Sequence, residues 1–132
     1  MSWKISFQII GDSYSPKKVD FNFNEENEPD EIAKIGKFAG KKYGYGSSSY
    51  IVPNDIERLK MFQHLADTFV PMLKELELAG AESWNIDIAR LYYNQCNEEF
   101  GKDEIIQISR LNCPLTYSAY SVSEEEEKEG FI

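Results

Sequence analysis

The sequence predicts an α+β fold: a mixed β-sheet of about five to six strands with two α-helices packed on one face. Three observations lead to this prediction. Several short segments alternate apolar and polar residues with the period of two that is typical of a half-buried strand. Two longer segments repeat apolar residues at steps of three and four, as amphipathic helices do. The strands come first along the chain and then alternate with the helices, which favours helices on a single side of one sheet.

The first half of the chain is predicted to form strands joined by loops. Residues 3–10 alternate apolar and polar side chains, so one face of this strand is expected to be buried. Residues 19–23 alternate in the same way and are predicted to form a second strand paired with the first. Residues 32–42 combine helical spacing with two glycines, which favours a third strand over a short helix. Residues 50–52 are β-branched and aromatic, which predicts a further short strand.

The strongest helical pattern begins at Asn54, a capping residue, and ends at Gly80. Proline lacks a backbone N–H, so Pro71 is predicted to kink this helix or to split it after Thr68. The apolar stripe that should face the core consists of Ile56, Leu59, Phe62, Ala66, Phe69, Leu73 and Leu76.

The second half is predicted to continue as strand, helix and strand. The strand begins at Trp84 and runs toward Tyr93, and Gly101 opens the following helix. Residues 115–120 alternate again and form the last predicted strand. The inner stripe of the second helix is predicted to be Ile105, Ile108 and Leu111.

The length of the chain, 132 residues, fits a single domain with a real hydrophobic core. Aromatic residues make up 14% of the sequence and supply large side chains for that core, so no disulfide or metal is needed to hold it. We assign residues 1–123 to one α+β domain. Residues 124–132 begin with a run of glutamates, for which like-charge repulsion predicts a disordered acidic tail.

The chain is strongly acidic, with a formal net charge of -9 and a pI near 4.6. A phosphate backbone requires a basic footprint, so nucleic acid is not an expected partner. An acidic surface attracts basic proteins and speeds their encounter, although it also serves solubility. A basic protein is therefore the partner that composition favours.

No membrane partner, metal or cofactor is expected. The N-terminal residues alternate instead of forming a signal-peptide core, which predicts a cytoplasmic protein with Cys96 and Cys113 as reduced thiols. These cysteines and His64 lack the paired spacing of a zinc site. The acidic residues 24–31 lack the regular ligand alternation of a calcium loop, and the glycines match no phosphate-binding motif.

Two segments are candidate binding surfaces. Residues 43–49 combine tyrosine, serine and glycine, a composition that suits adaptable recognition and equally an ordinary hairpin connection. Residues 92–100 are dense in hydrogen-bonding groups, and the amides there are also suited to capping the next helix. Cys96 fits either a small buried residue or a reactive thiol. The candidate residues are Tyr43, Tyr45, Tyr92, Asn94, Gln95, Cys96 and Asn97.

Several short pieces follow one another in a fixed order along the chain: residues 7–12 with Ser15 and Pro16, His64 with Leu65, residues 95–100, Leu111 and residues 117–120. In these pieces the chain resembles a family of small, mostly bacterial proteins known as domain of unknown function 4279. The resemblance spans residues 3 to 122 and implies an α+β domain, with no activity or catalytic residues to carry over. At Lys17–Phe23 the chain departs from the family's pattern, because a strand is predicted where the family often has a short helix.

These observations favour a non-enzymatic protein-binding module, since no catalytic set of residues stands out. A concrete version is an immunity protein that covers the active site of a basic toxin. Two alternatives stay open. One is an enzyme or small-ligand domain that uses Gln95, Cys96 and Asn97, and the other is a structural subunit of a homo-oligomer.

Overall fold

The computed structural model describes residues 3–34, 36 and 39–129, and these form one five-stranded mixed sheet with helices packed against it. The α+β class predicted from the sequence is confirmed. The strands lie in the order β2-β3-β1-β4-β5. In chain order the elements are β1 (Trp3–Gly11), β2 (Glu25–Asn27), β3 (Gly46–Ile51), α1 (Met61–Phe69), α2 (Leu73–Leu78), β4 (Ser83–Tyr92), α3 (Lys102–Arg110), β5 (Leu115–Ser121) and α4 (Glu124–Glu129).

Strand β1 lies at the centre of the sheet because its alternation gives it a continuous apolar face. Ile5, Phe7 and Ile9 are almost completely buried on that face. β1 pairs antiparallel with β3 on one side and with β4 on the other, and β5 runs parallel to β4. Helices α1 and α3 pack beside each other, and the ring of Phe69 in α1 stacks on Phe7 with centroids 4.4 Å apart.

Pro71 divides the long helical pattern, as the sequence predicts. Helix α1 ends at Phe69, a 3-10 turn covers Val70–Met72, and α2 begins at Leu73. The break follows from the missing N–H of proline, which cannot donate to the preceding turn. Gly80 follows α2 with φ of 103°, a conformation that glycine adopts without steric cost.

The start of the first helix was predicted too early. Residues 54–57 lie outside any helix, a 3-10 turn covers Arg58–Lys60, and α1 begins only at Met61. Leu59, predicted to face the core, is 68% exposed because it lies in this turn instead of on the α1 stripe. Buried residues of α1 and α2 include Phe62, Ala66 and Leu76 from the predicted stripe.

Two strands predicted in the first half are absent from the described residues. Residues 19–23 form no strand because β3 and β4 occupy both sides of β1, and a 3-10 turn over Pro16–Lys18 directs the chain elsewhere. Phe21 packs against Phe69 instead. In the described part of residues 32–42 the pairing is an isolated bridge between Ile32 and Lys42, and Ile35 and Lys37 lie outside the described residues.

Strand β3 and the C-terminal residues also differ from the predictions. The short strand expected at residues 50–52 begins four residues earlier, at Gly46, so most of the predicted 43–49 loop belongs to the sheet. Residues 124–129, for which the sequence predicts disorder, form the short helix α4. An ion pair between Lys128 and Glu124, one turn apart, offsets part of the repulsion between its glutamates.

The inner stripe predicted for α3 is wrong at one position. Ile105 is 55% exposed, and its neighbour Glu104 is the buried residue, with a side chain only 4% exposed. Glu104 occupies the inner position because it forms an ion pair with Arg58 and accepts a hydrogen bond from the Gly101 N–H at 3.0 Å. Ile108 is half-buried and Leu111 is fully buried, as expected.

Candidate functional site

The two faces of the sheet differ in composition. The helices cover the face that carries Ile5, Phe7 and Ile9, whereas the alternate residues of each strand lie on the opposite, open face. This open face is mainly polar. Its residues, aligned by the strand register, include Ser6, Gln8, Ile10, Glu25, Asn27, Ser47, Ser49, Asn85, Asp87, Thr116, Ser118 and Tyr120.

A concave groove of about 450 Å³ lies on the open face, over β2, β3 and β1. This volume is within the range of small-ligand sites and is large enough to take a long side chain of a partner protein. The groove is lined by Gln8, Ile9, Ile10, Glu25, Glu26, Asn27, Glu31, Tyr43, Ser47, Ser48, Ser49 and Asn85.

The groove has a negative electrostatic character. Glu25 and Glu31 contribute carboxylates, and the described lining contains no lysine or arginine. Gln8 and Asn85 face each other across β1 and β4 and add amide groups to the lining. A cleft lined by one sign of charge raises the local concentration of opposite charges, so this groove favours cations.

Hydrogen bonds fix the wall that β2 and the following loop form. Asn27 is held on both sides, since Ser47 Oγ donates to its Oδ1 and its Nδ2 donates to the Tyr45 carbonyl at 3.1 Å. The Tyr43 N–H donates to the Glu31 carbonyl at 3.0 Å, and the rings of Tyr43 and Tyr45 meet edge to face with centroids 5.8 Å apart. These contacts position Tyr43 at the groove without requiring a ligand.

Beneath the groove, on the buried side of β3, Tyr14 stabilises the strand. Its hydroxyl shares a 2.7 Å hydrogen bond with Ser48 Oγ, and both side chains are buried. Burial raises the pKa of Tyr14 from 10.0 to about 12, an effect that the Ser48 hydrogen bond opposes and that the charges of Glu26 and Glu28 reinforce.

The raised pKa of Tyr14 predicts that part of the stability is lost at high pH. Below pH 10.0 the tyrosine is neutral in both states, so its full contribution is present. Between 10.0 and about 12 the unfolded chain loses the proton while the folded chain keeps it, so stability falls as the pH rises. The total loss is up to about 3 kcal/mol.

The variant Tyr14→Phe isolates this contribution. Its free energy of unfolding at pH 7 should be about 1–2 kcal/mol lower, because Ser48 loses its buried partner. The difference between wild type and variant should then narrow as the pH rises above 10 and reverse by about pH 12, because the loss in the wild type exceeds the difference at pH 7. Urea unfolding followed by circular dichroism at each pH measures it, and a gap that is independent of pH would contradict the assignment.

A second polar cluster lies on the helix side, at the C-terminal end of β4. Arg90 Nε pairs with Glu98 at 2.9 Å, and Cys96 Sγ lies 3.3 Å from the Tyr117 hydroxyl. Burial raises the pKa of Tyr117, and its hydrogen bond to Cys96 and the charge of Glu98 raise it further. Cys96 is half-buried and contacts the Tyr117 hydroxyl. Beside it, the opposite charges of Arg90 and Glu98 form an ion pair.

The structure does not bring the predicted candidate residues into one surface. Tyr43 and Tyr45 lie near the end of the sheet where Ile10 pairs with Ser83, whereas residues 92–97 follow the other end of β4. The seven residue-to-residue steps from Ile10 to Trp3 separate these ends by about 20 Å. Of the candidates on β4 and the following loop, Tyr92 and Cys96 are half-buried, and Asn94, Gln95 and Asn97 are exposed.

Sequence reasoning missed the residues that build most of the groove. Gln8 and Asn85 lie in predicted strands and Glu25 lies in the acidic segment 24–31, but none of the three was a predicted site residue. Their alternation placed them on an outer face, but only the strand register shows that these outer faces join. His64 is half-buried, and its Nε2 forms a 2.7 Å hydrogen bond with the Tyr50 hydroxyl.

Metal-binding clusters and membrane-spanning helices are absent from the part of the chain that the structure describes. Within residues 3–34, 36 and 39–129, no group of three or more His, Cys, Asp or Glu side chains is arranged to hold a metal ion. No helix described there is long and apolar enough to cross a bilayer.

Comparison with known proteins identifies no relative of this chain. No family model matches the chain, and neither does any curated protein or solved structure. The resemblance to the domain of unknown function 4279 family therefore stays a prediction from the sequence.

Proposed function

We propose that the protein is a non-enzymatic binding module that takes a cationic side chain of a basic protein into the groove on its open face. The observation that carries this proposal is the groove itself, with Glu25 and Glu31 in its lining and no described cation beside them. The net charge of -9 supports the same partner, because it draws a basic protein toward the whole molecule.

The chemistry of the groove fits a lysine or arginine side chain. A guanidinium presents five N–H donors and an ammonium three, and neither accepts hydrogen bonds. The carboxylates, together with the side-chain oxygens of Gln8, Ser49 and Asn85, offer acceptors on the floor and wall. Tyr43 adds an aromatic face of the kind on which an arginine can stack.

A narrower form of the proposal is that the chain is a bacterial, cytoplasmic immunity protein for a basic toxin. Two features support it: an acidic surface that speeds association, and the small size suited to covering an active site. Coexpression tests this form directly, since the protein should protect cells against the toxin encoded by a neighbouring gene.

Binding to the products of neighbouring genes tests the general proposal. The purified chain is titrated by calorimetry with each such protein, and one basic partner should bind with a Kd below about 1 µM, equivalent to about -8 kcal/mol. The double variant Glu25→Gln/Glu31→Gln should weaken that binding at least about tenfold, because it removes two carboxylates from the groove. Raising the salt concentration should weaken it as well.

A matched control distinguishes loss of the groove carboxylates from a change in the protein's net charge as the cause of weaker binding. Glu124→Gln/Glu125→Gln removes the same two charges from the exposed helix α4, outside the groove. This control should bind nearly as tightly as the wild type. Equal weakening by both double variants would place the contact outside the groove, and the absence of any basic partner in the micromolar range would refute the function.

A further inference from the structure

The two edges of the sheet are built differently. Edge strand β2 has only three residues, carries Glu25 and Glu26, and is followed closely by Pro29. Short length, charge and proline are the devices that prevent edge strands from pairing with other chains. The opposite edge, β5, has seven residues with the sequence LTYSAYS, which contains no charge and no proline.

We propose that the β5 edge is an interface with a second copy of this chain. In the dimer two β5 strands pair antiparallel across a two-fold axis and join both sheets into one. This inference is independent of the groove and its partner, because β5 lies at the other edge of the sheet from β2 and β3.

The hydrogen-bond pattern of β5 leaves one set of backbone groups directed away from the sheet. The Ile86 N–H donates to the Pro114 carbonyl at 3.0 Å, and the Val122 N–H donates to the Tyr92 carbonyl at 2.9 Å. Even-numbered residues of β5 therefore bond to β4, since backbone groups alternate in direction along a strand. The groups that point outward belong to Leu115, Tyr117, Ala119 and Ser121.

The strand is complementary to itself in an antiparallel register centred on Ser118. Tyr117 then lies opposite Ala119 of the second copy, and Leu115 lies opposite Ser121, so all four outward-facing residues form hydrogen-bonded pairs. On the open face Thr116 lies opposite Tyr120, which is 52% exposed in the single chain. Aromatic and β-branched cross-strand pairs of this kind stabilise antiparallel sheets.

The uncharged sequence of β5 does not favour a basic strand at this edge. β5 offers no carboxylate to a lysine or arginine, so nothing in it selects a cationic segment. The antiparallel register also places the two acidic α4 helices at opposite ends of the interface. Each α4 follows its own β5, so it begins at the end of the interface where the β5 strand of the other copy starts. Arg110 of that other copy precedes the same strand.

The flank of α3 offers additional apolar surface beside this edge. Arg110 faces α1, where it pairs with Asp67 at 2.7 Å, and Ile105 lies about 140° around the helix from Arg110. Ile105 is 55% exposed. Strand pairing alone buries less area than a stable interface needs, so contact between the α3 helices of the two copies would add to it.

Sedimentation velocity of the purified chain tests the proposal. The wild type should shift with concentration from the 15.2 kDa of one chain to twice that mass, with half of the shift at about 10 µM. Higher salt should strengthen the dimer, because each copy carries a charge of -9 that salt screens. Higher salt should instead weaken the binding of a basic partner at the groove. Because the two expected salt effects have opposite signs, either proposal can be refuted without the other.

Two variants locate the interface, each with a matched control. Ala119→Pro removes a backbone N–H that points away from the sheet, a change that an edge strand tolerates. This variant should weaken the dimer at least about tenfold. Its control, Ala119→Thr, keeps the N–H and should leave the dimer affinity unchanged. Ser118→Glu places like charges opposite each other on the axis and should also abolish dimers, whereas the neutral Ser118→Gln should keep them. Circular dichroism confirms that each variant is folded.

The outcomes are decisive in either direction. A wild type that stays monomeric up to about 100 µM at high salt would overturn the proposal. A dimer that Ser118→Glu leaves intact would also overturn it, because the contact would then lie elsewhere. Loss of dimers in Ser118→Glu, with Ser118→Gln unchanged, supports the β5 interface even if Ala119→Pro fails to fold.

Discussion

Replacing Gly46 with alanine is expected to lower the free energy of unfolding by about 3 kcal/mol or more. An ideal Cβ at this position would lie 1.7 Å from the Tyr14 carbonyl oxygen and 2.7 Å from its carbonyl carbon. Both atoms belong to the backbone, so no side chain can move aside, and β3 must separate from the segment around Tyr14. Gly46 opens β3 and pairs with Gly11 of the central strand, so the displacement would reach the core.

Gly44→Ala is the matched control for this prediction. Gly44 has φ of 78°, which is strained for alanine, but nothing lies within 4 Å of its ideal Cβ. Its cost should therefore be only the 1–2 kcal/mol, roughly, of a left-handed residue. Urea unfolding of both variants, analysed at a common m-value, measures the difference. Equal costs would show that backbone conformation, and not the close approach of Tyr14, makes Gly46 necessary.

The second large effect is expected at the buried ion pair of Arg58 and Glu104. The two side chains are 14% and 4% exposed, so removal of one partner leaves the other charge largely desolvated. The guanidinium of Arg58 lies over the ring of Trp3, 4.3 Å from its centroid, and within 5.4 Å of the ring centroids of Phe62 and Phe100. Glu104→Leu should lower the free energy of unfolding by about 3–5 kcal/mol.

A double-mutant cycle tests whether the loss comes from the unpaired charge. Arg58→Met/Glu104→Leu places apolar side chains at both positions and should be closer to the wild type than Glu104→Leu alone, by about 2 kcal/mol or more. Both variants lack the hydrogen bond from the Gly101 N–H to Glu104, so that loss cancels in the comparison. Additive costs for the two substitutions would show that the charges do not act as a pair.

Much of the fold follows from local patterns that are complete within a few residues. The alternation of residues 3–10 determines which face of β1 is buried, because side chains of a strand alternate in direction. Pro71 determines where the long helix divides, because the missing N–H is a property of that residue alone. The last strand at residues 115–121 follows in the same way. For these elements the tertiary structure and the local preference agree.

Elements whose outcome depended on distant partners were predicted less well. Val19 is buried and Phe21 and Phe23 are half-buried, as their spacing suggested, but β3 and β4 already occupy both sides of β1, the strand with which they were predicted to pair. Glu104 is buried and Ile105 is exposed, the reverse of the expected burial, because Arg58 supplies the positive charge that makes a buried carboxylate favourable. Arg58 lies 46 residues away in the sequence. Local hydrophobicity contains no information about such a partner.

The sequence by itself determined the α+β class, the buried face of each well-patterned strand and the acidic character of the surface. Only the tertiary structure decided that the polar faces of β1, β3 and β4 adjoin, that Glu25 and Tyr43 close a groove beside them, and that Tyr92–Cys96 lie about 20 Å away. The physical reason is that composition and periodicity act within a segment, whereas a binding surface is formed by the register between segments that are distant in the chain.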